Sequence, residues 1–165
     1  MKSRFIKYIP LVAFSFGALI APAALAQGAA APTVPAADYG DHSSQTLTTK
    51  AWEAYGARDF PLAVDYASKC IELYSGQAKE MQAGLEGPAP AEIASSLWAL
   101  NDVGTCLYIR GQVYEAQGKS ALALADYKRL ANEFRFAQTW DTKGWYWSPA
   151  DAAKQRITVV EFDAL

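Results

Sequence analysis

The sequence has few of the residues on which most catalytic and metal sites depend. It contains one histidine, His42, and two cysteines, Cys70 and Cys106. A Ser-His-Asp or Cys-His site would have to use His42, which lies in a segment too poor in bulky apolar residues to hold a fixed geometry. Two cysteines without partnering histidines do not supply an ordinary zinc site, and their wide spacing excludes a Cys-x-x-Cys redox motif.

Other signatures of catalysis are missing as well. There is no glycine-rich loop of the kind that holds phosphate. A glycosidase needs two carboxylates that face each other across a cleft, and nothing in the sequence fixes such a pair, although Asp141 and Glu161 are available. We therefore predict that the protein is not an enzyme and that it uses no cofactor and no metal.

The first residues have the pattern of a bacterial secretory signal peptide. Lys2, Arg4 and Lys7 precede an apolar run that leads into Ala24-Leu25-Ala26. The run is short for a bilayer span, so cleavage after Ala26 is favoured over an uncleaved anchor. Because no cysteine near the cut could accept a lipid, we predict a periplasmic or secreted protein without a stable membrane anchor.

Removal of residues 1–26 would leave 165 − 26 = 139 residues, enough for one compact domain. The 15 basic residues would fall to 15 − 3 = 12 against 17 acidic residues, a net charge near −5 that argues against a nucleic-acid partner. Residues 27–44 are rich in Ala, Pro, Gly and Ser, and this composition predicts a flexible leader.

The remaining residues, 45–165, contain a helical pattern that occurs twice, 60 residues apart. In the first copy, residues 45–75, one helix is predicted to end near Arg58 and a second to begin at the N-cap Asp59 and to end at Gly76. In the second copy, residues 105–135, Gly118 is predicted to close the first helix. The matched positions are Leu47 with Leu107, Ala51 with Gly111, Ala63 with Ala123, Val64 with Leu124, Cys70 with Leu130, and Tyr74 with Phe134.

The small residues Ala51 or Gly111 on the first helix and Ala63 or Ala123 on the second, with an aromatic residue between them, resemble the tetratricopeptide repeat. This resemblance covers about 45–74 and 105–134, and it implies closely packed antiparallel helical hairpins. A usual repeat has about 34 residues, so a period of 60 leaves about 26 inserted. The predicted fold is all-α: two hairpins, an inserted helical segment and a C-terminal capping helix.

The insertion, residues 76–104, is predicted to contain a short helix over 77–85, a break at 87–90, and the start of a long helix over 91–114. Asn101 and Gly104 could bend that helix. Two hairpins are fewer than a solenoid generally needs, so either these extra helices or homodimerisation would cover the ends of the array.

The C-terminal segment, residues 136–165, contains an aromatic block from Trp140 to Trp147, followed by a helix start at Ser148 and Pro149. It resembles the end of small exported bacterial repeat proteins, some labelled as glucanase precursors, but such a label does not establish an activity. The rings either seal the open end of the stack or stay exposed and bind sugar or peptide. In the second case the predicted ligand-binding residues are Trp140, Asp141, Trp145 and Trp147.

The two cysteines allow two interpretations. An oxidising compartment favours a Cys70–Cys106 disulfide, and closing a 106 − 70 = 36-residue separation would contribute about 3 to 4 kcal/mol. Buried free thiols are the equally weighted alternative.

In proteins that resemble this repeat, the first helix of each hairpin lines a concave face. The corresponding outward residues predict a protein or peptide site anchored by Trp52 and Tyr55, provided that the inserted helix leaves Trp52 uncovered. We predict a non-catalytic scaffold or adaptor in the cell envelope, with a glycan- or cell-wall-binding module as the alternative and a glycan hydrolase as the least favoured function. The predicted partner-binding residues are Thr48, Trp52, Tyr55, Tyr108, Gln112 and Glu115.

Overall fold

The computed structural model describes residues 37–163 and confirms an all-α helical array with one short pair of strands. The predicted signal peptide and most of the predicted leader lie outside the described residues. The elements are α1 (Ser44–Gly56), α2 (Phe60–Ala83), α3 (Ala91–Ala94), a 3₁₀ turn (Ser95–Leu97), α4 (Trp98–Ala116), α5 (Ser120–Glu133), β1 (Thr139–Asp141), β2 (Trp145–Trp147) and α6 (Pro149–Asp163).

Helix α4 is the centre of the domain. It packs against α2, α5 and α1, while α6 packs on α5 and α4 and covers that end of the array. The helices α1 and α2 form one hairpin, and α4 and α5 form the other. Their shared core is made of small and aliphatic side chains together with the fully buried rings of Tyr127 and Phe134. The arrangement therefore contains the two predicted hairpins, the inserted segment and a C-terminal helix.

The turns of the two hairpins repeat the same geometry at a separation of 60 residues. Arg58 has a φ of 60°, and Gly118 at the equivalent position has a φ of 70°. The backbone N–H of Arg58 donates to the Tyr55 carbonyl at 3.0 Å, and that of Gly118 donates to the Glu115 carbonyl at 2.9 Å. The sequence match between the two copies therefore extends to their backbone conformation.

The two copies differ in one buried pair. In the second hairpin the guanidinium of Arg110 forms two hydrogen bonds with the Asp126 carboxylate, at 2.8 and 2.7 Å. At the equivalent positions of the first hairpin, the Lys50 ammonium lies 5.6 Å from the centre of the Tyr66 ring. Both pairs join the two helices of a hairpin, one by an ion pair and the other by a cation–π contact.

Gly76 does not end the second helix, so that prediction is wrong. Helix α2 continues through Gly76 to Ala83, and the predicted separate helix over 77–85 is its last part. The additional turns bury Ala78 completely and Gln82 to 9% exposure. The Gln82 side-chain oxygen accepts a hydrogen bond from the Phe136 N–H at 3.0 Å. Contacts distant in sequence thus offset the low helix propensity of the glycine.

The predicted long helix over 91–114 is interrupted, because a 3₁₀ turn separates α3 from α4. Asn101 holds this break with both ends of its side-chain amide. Its side-chain Nδ2 donates to the Ala94 carbonyl at 2.7 Å, and its Oδ1 accepts from the Gln138 N–H at 2.8 Å. The carbonyl released by the break is therefore satisfied by a side chain.

The described part of the predicted leader, residues 37–44, contacts the domain. The Lys50 ammonium pairs with Asp38 at 2.9 Å, and the Tyr39 hydroxyl donates to Asp65 at 2.9 Å. The Tyr74 hydroxyl donates to the His42 carbonyl at 2.8 Å. Among the residues 37–163, no helix is both long and apolar enough to cross a membrane.

Candidate functional site

A groove of about 390 Å³ lies where α1, α4 and α6 meet. Helix α4 presents three of its side chains there because Tyr108, Gln112 and Glu115 recur at helical spacing and so share one face. The preceding turn of α4 lies beneath the hairpin β1–β2, which leaves the C-terminal half of this face open. The groove is lined by Tyr55, Tyr108, Gln112, Glu115, Ala116 and Arg156.

The structure brings together four of the six predicted partner-binding residues: Tyr55, Tyr108, Gln112 and Glu115. Trp52 is half-buried beside the groove, with its ring centre 5.9 Å from that of Tyr55 in an edge-to-face arrangement. It therefore supports a wall of the groove and does not line it.

Thr48 was predicted to face outward, and this prediction is wrong. Thr48 is only 8% exposed, and its hydroxyl lies 3.3 Å from the Cys106 Sγ and 3.7 Å from the Cys70 Sγ. The reason is that α1 packs against both α2 and α4, so its buried face is wider than a single stripe. Thr48 is an interior residue of the interface between the hairpins.

Glu115 is held in place by two neighbours. Its carboxylate accepts hydrogen bonds from the Arg156 Nε at 3.1 Å and from the Tyr127 hydroxyl at 3.0 Å, and a second nitrogen of Arg156 also pairs with it. The two charges compensate each other at the floor of the groove. Arg156 was not among the predicted site residues, because its position depends on how α6 docks against α4.

The remaining polar groups of the groove suit hydrogen bonding to a ligand. A tyrosine hydroxyl is protonated at neutral pH and can donate, and burial raises the pKa of Tyr108 further in that direction. The Gln112 Oε1 is buried and has no donor among the described residues. Of the residues that line the groove, Glu115 is the only carboxylate, and it is already paired. The arrangement offers rings, a hydroxyl, an amide and a neutralised ion pair, which is a set of groups for recognition.

The aromatic block forms a β-hairpin that sequence reasoning did not predict. The strands β1 and β2 are antiparallel, with Thr139 opposite Trp147, Trp140 opposite Tyr146, and Asp141 opposite Trp145. The turn ends at Gly144 with a φ of 103°, and the Lys143 N–H donates to the Asp141 side chain at 2.8 Å. A three-residue loop ending in glycine between aromatic residues is the signal that could have revealed it.

The four predicted ligand-binding residues of this block are divided between the two faces of the hairpin, because cross-strand partners share a face and neighbours alternate. Asp141, Trp145 and Trp147 lie on one face, and Trp140 lies on the other with Tyr146, at a ring distance of 5.0 Å. Trp140 and Trp145 are 56% and 50% exposed. The rings of the block therefore do not all seal the stack.

The hairpin and the groove meet at Tyr108. The rings of Trp147 and Tyr108 pack edge to face with centres 5.4 Å apart, and the Thr139 and Thr105 hydroxyls lie 2.6 Å apart. The same face of α4 thus contacts the β-hairpin at Thr105 and Tyr108 and lines the groove in the following turns. The two surfaces that the sequence offered as alternatives are neighbours that share one tyrosine.

The two cysteines also come together, at the interface between the hairpins. Cys70 on α2 and Cys106 on α4 are buried free thiols on either side of the Thr48 hydroxyl. Burial raises the pKa of the Cys106 thiol, and the neighbouring Cys70 raises it further. Among the described residues, no group of three or more His, Cys, Asp or Glu side chains is placed to hold a metal ion.

No family model, curated protein or solved structure matches the chain. The function is therefore inferred from the geometry of the groove and of the hairpin.

Proposed function

We propose that this chain is a non-catalytic, tetratricopeptide-like scaffold of the cell envelope that binds a protein partner in the groove formed by α1, α4 and α6. The observation that carries the proposal is the convergence of Tyr55, Tyr108, Gln112 and Glu115 on one groove. The repeated turns and the small residues at the helix contacts support the tetratricopeptide-like part. Alanine or glycine at those contacts allows close helix approach, as at Gly111 against the Tyr127 ring.

The chemistry of the groove indicates what kind of segment it accepts. Two half-buried tyrosines give apolar walls with polar edges, which suit an apolar side chain on a peptide or helix. Glu115 and Arg156 compensate each other, so the groove selects its partner by shape and hydrogen bonds more than by net charge.

Binding in the groove can be tested by site-specific photocrosslinking. Ala116 is exposed and lines the groove, whereas Leu122 on α5 is 49% exposed and does not line it. A benzophenone amino acid at position 116 is expected to capture a defined envelope protein, and the same probe at position 122 is not. Adding Tyr55→Ala is expected to weaken capture at position 116 about tenfold or more, since anchor tyrosines commonly contribute 2 kcal/mol or more.

The identity of the captured species decides the partner. A second copy of this chain would establish a homodimer in place of a heterologous complex. Capture that is equal at positions 116 and 122, or unchanged by Tyr55→Ala in a variant that circular dichroism shows to be folded, would remove the groove as the binding site.

The exposed rings of the hairpin favour a second candidate function, which is glycan binding. Tryptophan rings stack on the flat faces of sugars, and Asp141 and Trp147 share a face with Trp145. Lys143 lies over the Trp145 ring, with its Nζ 5.9 Å from the ring centre. Thr139 and Trp147 of the same face contact α4, so the exposed Trp145 ring is the part of this face on which a sugar would stack, whereas Trp140 lies on the other face.

Affinity electrophoresis in gels that contain soluble glucans or cell-wall glycan fragments tests this candidate. Trp145→Ala is expected to abolish retardation by a bound glycan, and Trp140→Ala is expected to leave it unchanged because that ring lies on the opposite face. No retardation by any glycan, or equal loss from the two substitutions, would contradict the assignment of this face. Release of sugars in the same samples would instead support the hydrolase hypothesis.

A further inference from the structure

A second pocket, of about 280 Å³, lies at the opposite ends of α1 and α4 from the groove. About ten residues of α4 separate Asp102 from Gln112, a distance of roughly 15 Å along the helix. The pocket is therefore independent of the groove proposed above. It is lined by Ser43, Ser44, Gln45, Tyr74, Trp98 and Asp102.

The carboxyl group of Asp102 is the charged feature of this pocket. It accepts a hydrogen bond from the Ser44 hydroxyl, and no lysine or arginine of residues 37–163 pairs with it. Burial raises the pKa of this carboxyl group, and the Ser44 hydrogen bond only partly opposes that effect. A carboxylate withdrawn from water without a cation is unfavourable, so a ligand that supplied the positive charge would be stabilised there.

Two aromatic rings complete the pocket. Tyr74 and Trp98 pack edge to face with ring centres 5.7 Å apart, and the Trp98 side chain is 40% exposed. The hydrogen bond from the Tyr74 hydroxyl to the His42 carbonyl fixes the orientation of the tyrosine. The faces of such rings attract cations, most strongly for tryptophan.

We propose that the pocket formed by Tyr74, Trp98 and Asp102 binds an alkylammonium group. The carboxylate supplies the counter-charge, the two rings enclose the apolar stem, and the lining contains no lysine or arginine that would repel the ligand. The ammonium group comes from a small free amine or from a lysine side chain of a peptide. A volume of about 280 Å³ accommodates a four-carbon stem with its ammonium head.

Binding is measured on the purified folded chain by following its tryptophan indole N–H signals in NMR titrations at constant ionic strength. The probes are n-butylammonium, tetramethylammonium, Nα-acetyl-lysine methylamide and the uncharged n-butanol. The ammonium probes are expected to shift one and the same indole signal, that of Trp98, with millimolar affinity, and n-butanol is not. Tighter binding of the lysine derivative than of n-butylammonium would identify a peptide as the source, and the reverse would identify a free amine.

Substitutions assign the signal and test each wall. Trp98→Leu removes the shifted signal and so assigns it. Asp102→Asn preserves the shape and removes the charge, and Tyr74→Leu removes one ring but keeps the Trp98 signal; each of these two pocket variants is expected to weaken ammonium binding at least tenfold. Asp163→Asn is the control, because Asp163 is an exposed aspartate at the end of α6 that does not line this pocket, and it is expected to have no effect. Equal binding of n-butanol, or unchanged binding by both pocket variants, would overturn the proposal. The absence of any ammonium-induced shift would also overturn it. A loss of stability in Asp102→Asn would then show that Asp102 only anchors the start of α1.

Discussion

Replacing Gly111 with alanine is expected to lower the free energy of unfolding by about 2 to 3 kcal/mol, because it inserts a methyl group into a filled core. A Cβ atom at this position would lie 2.5 Å from the Tyr127 Cε1 and 2.8 Å from its Cδ1. The tyrosine cannot easily move away, since its ring is fully buried and its hydroxyl donates to Glu115. Urea unfolding followed by circular dichroism measures the change.

Gly76→Ala is the matched control for this substitution. Gly76 is also inside a helix, but it is exposed and a Cβ atom there would meet nothing within 4 Å. The same chemical change is therefore expected to stabilise the protein by about 0.5 to 1 kcal/mol through helix propensity. Two changes of the same sign and size would show that Gly111 is not a packing position.

Replacing Asp126 with asparagine is expected to lower the free energy of unfolding by about 3 kcal/mol or more, since it leaves a buried cation unpaired. The Asp126 side chain is 7% exposed and that of Arg110 is 17% exposed. Arg110 would retain its 2.9 Å hydrogen bond to the Ser68 hydroxyl and one acceptor in the asparagine oxygen, but it would have no counter-charge. The loss is measured as a shift of the urea midpoint.

Two comparisons isolate the buried charge as the cause. Glu161→Gln removes one partner of an exposed pair with Lys128, both about half-exposed, and is expected to change stability by less than about 1 kcal/mol. The double change Arg110→Met and Asp126→Leu is expected to recover most of the loss, because it removes both charges. A double variant as unstable as Asp126→Asn would instead show that the pair is needed for packing geometry.

The sequence predicted the hairpins well because their signals are local. Leu47 and Leu107 occupy equivalent positions of the two copies, and both are fully buried as predicted. Gly118 follows the end of its helix, also as predicted. The inserted segment was harder, because its boundaries depend on partners that are distant in sequence. Gln82 meets the backbone of Phe136, and Asn101 meets Gln138, and no local pattern reports either contact.

The same distinction holds for the candidate site. Tyr108, Gln112 and Glu115 were found because a shared helix face follows from spacing alone. Arg156 was missed because it enters the groove only through the docking of α6 on α4. Thr48 was predicted to face outward because the apolar stripe of α1 indicates only one contacting helix. In the structure α1 packs against both α2 and α4, which makes its buried face wider.

The position of Thr48 between two thiols makes the interface between the hairpins accessible to measurement by chemical labelling. Cys70 and Cys106 are 0% exposed and lie on helices of different hairpins, so a thiol reagent reaches them only when that interface opens. The labelling rate under native conditions then reports the free energy of opening. Labelling of the unfolded chain without reductant counts the thiols that are not joined in a disulfide. The two cysteines therefore report both the stability of the interface between the hairpins and their own redox state.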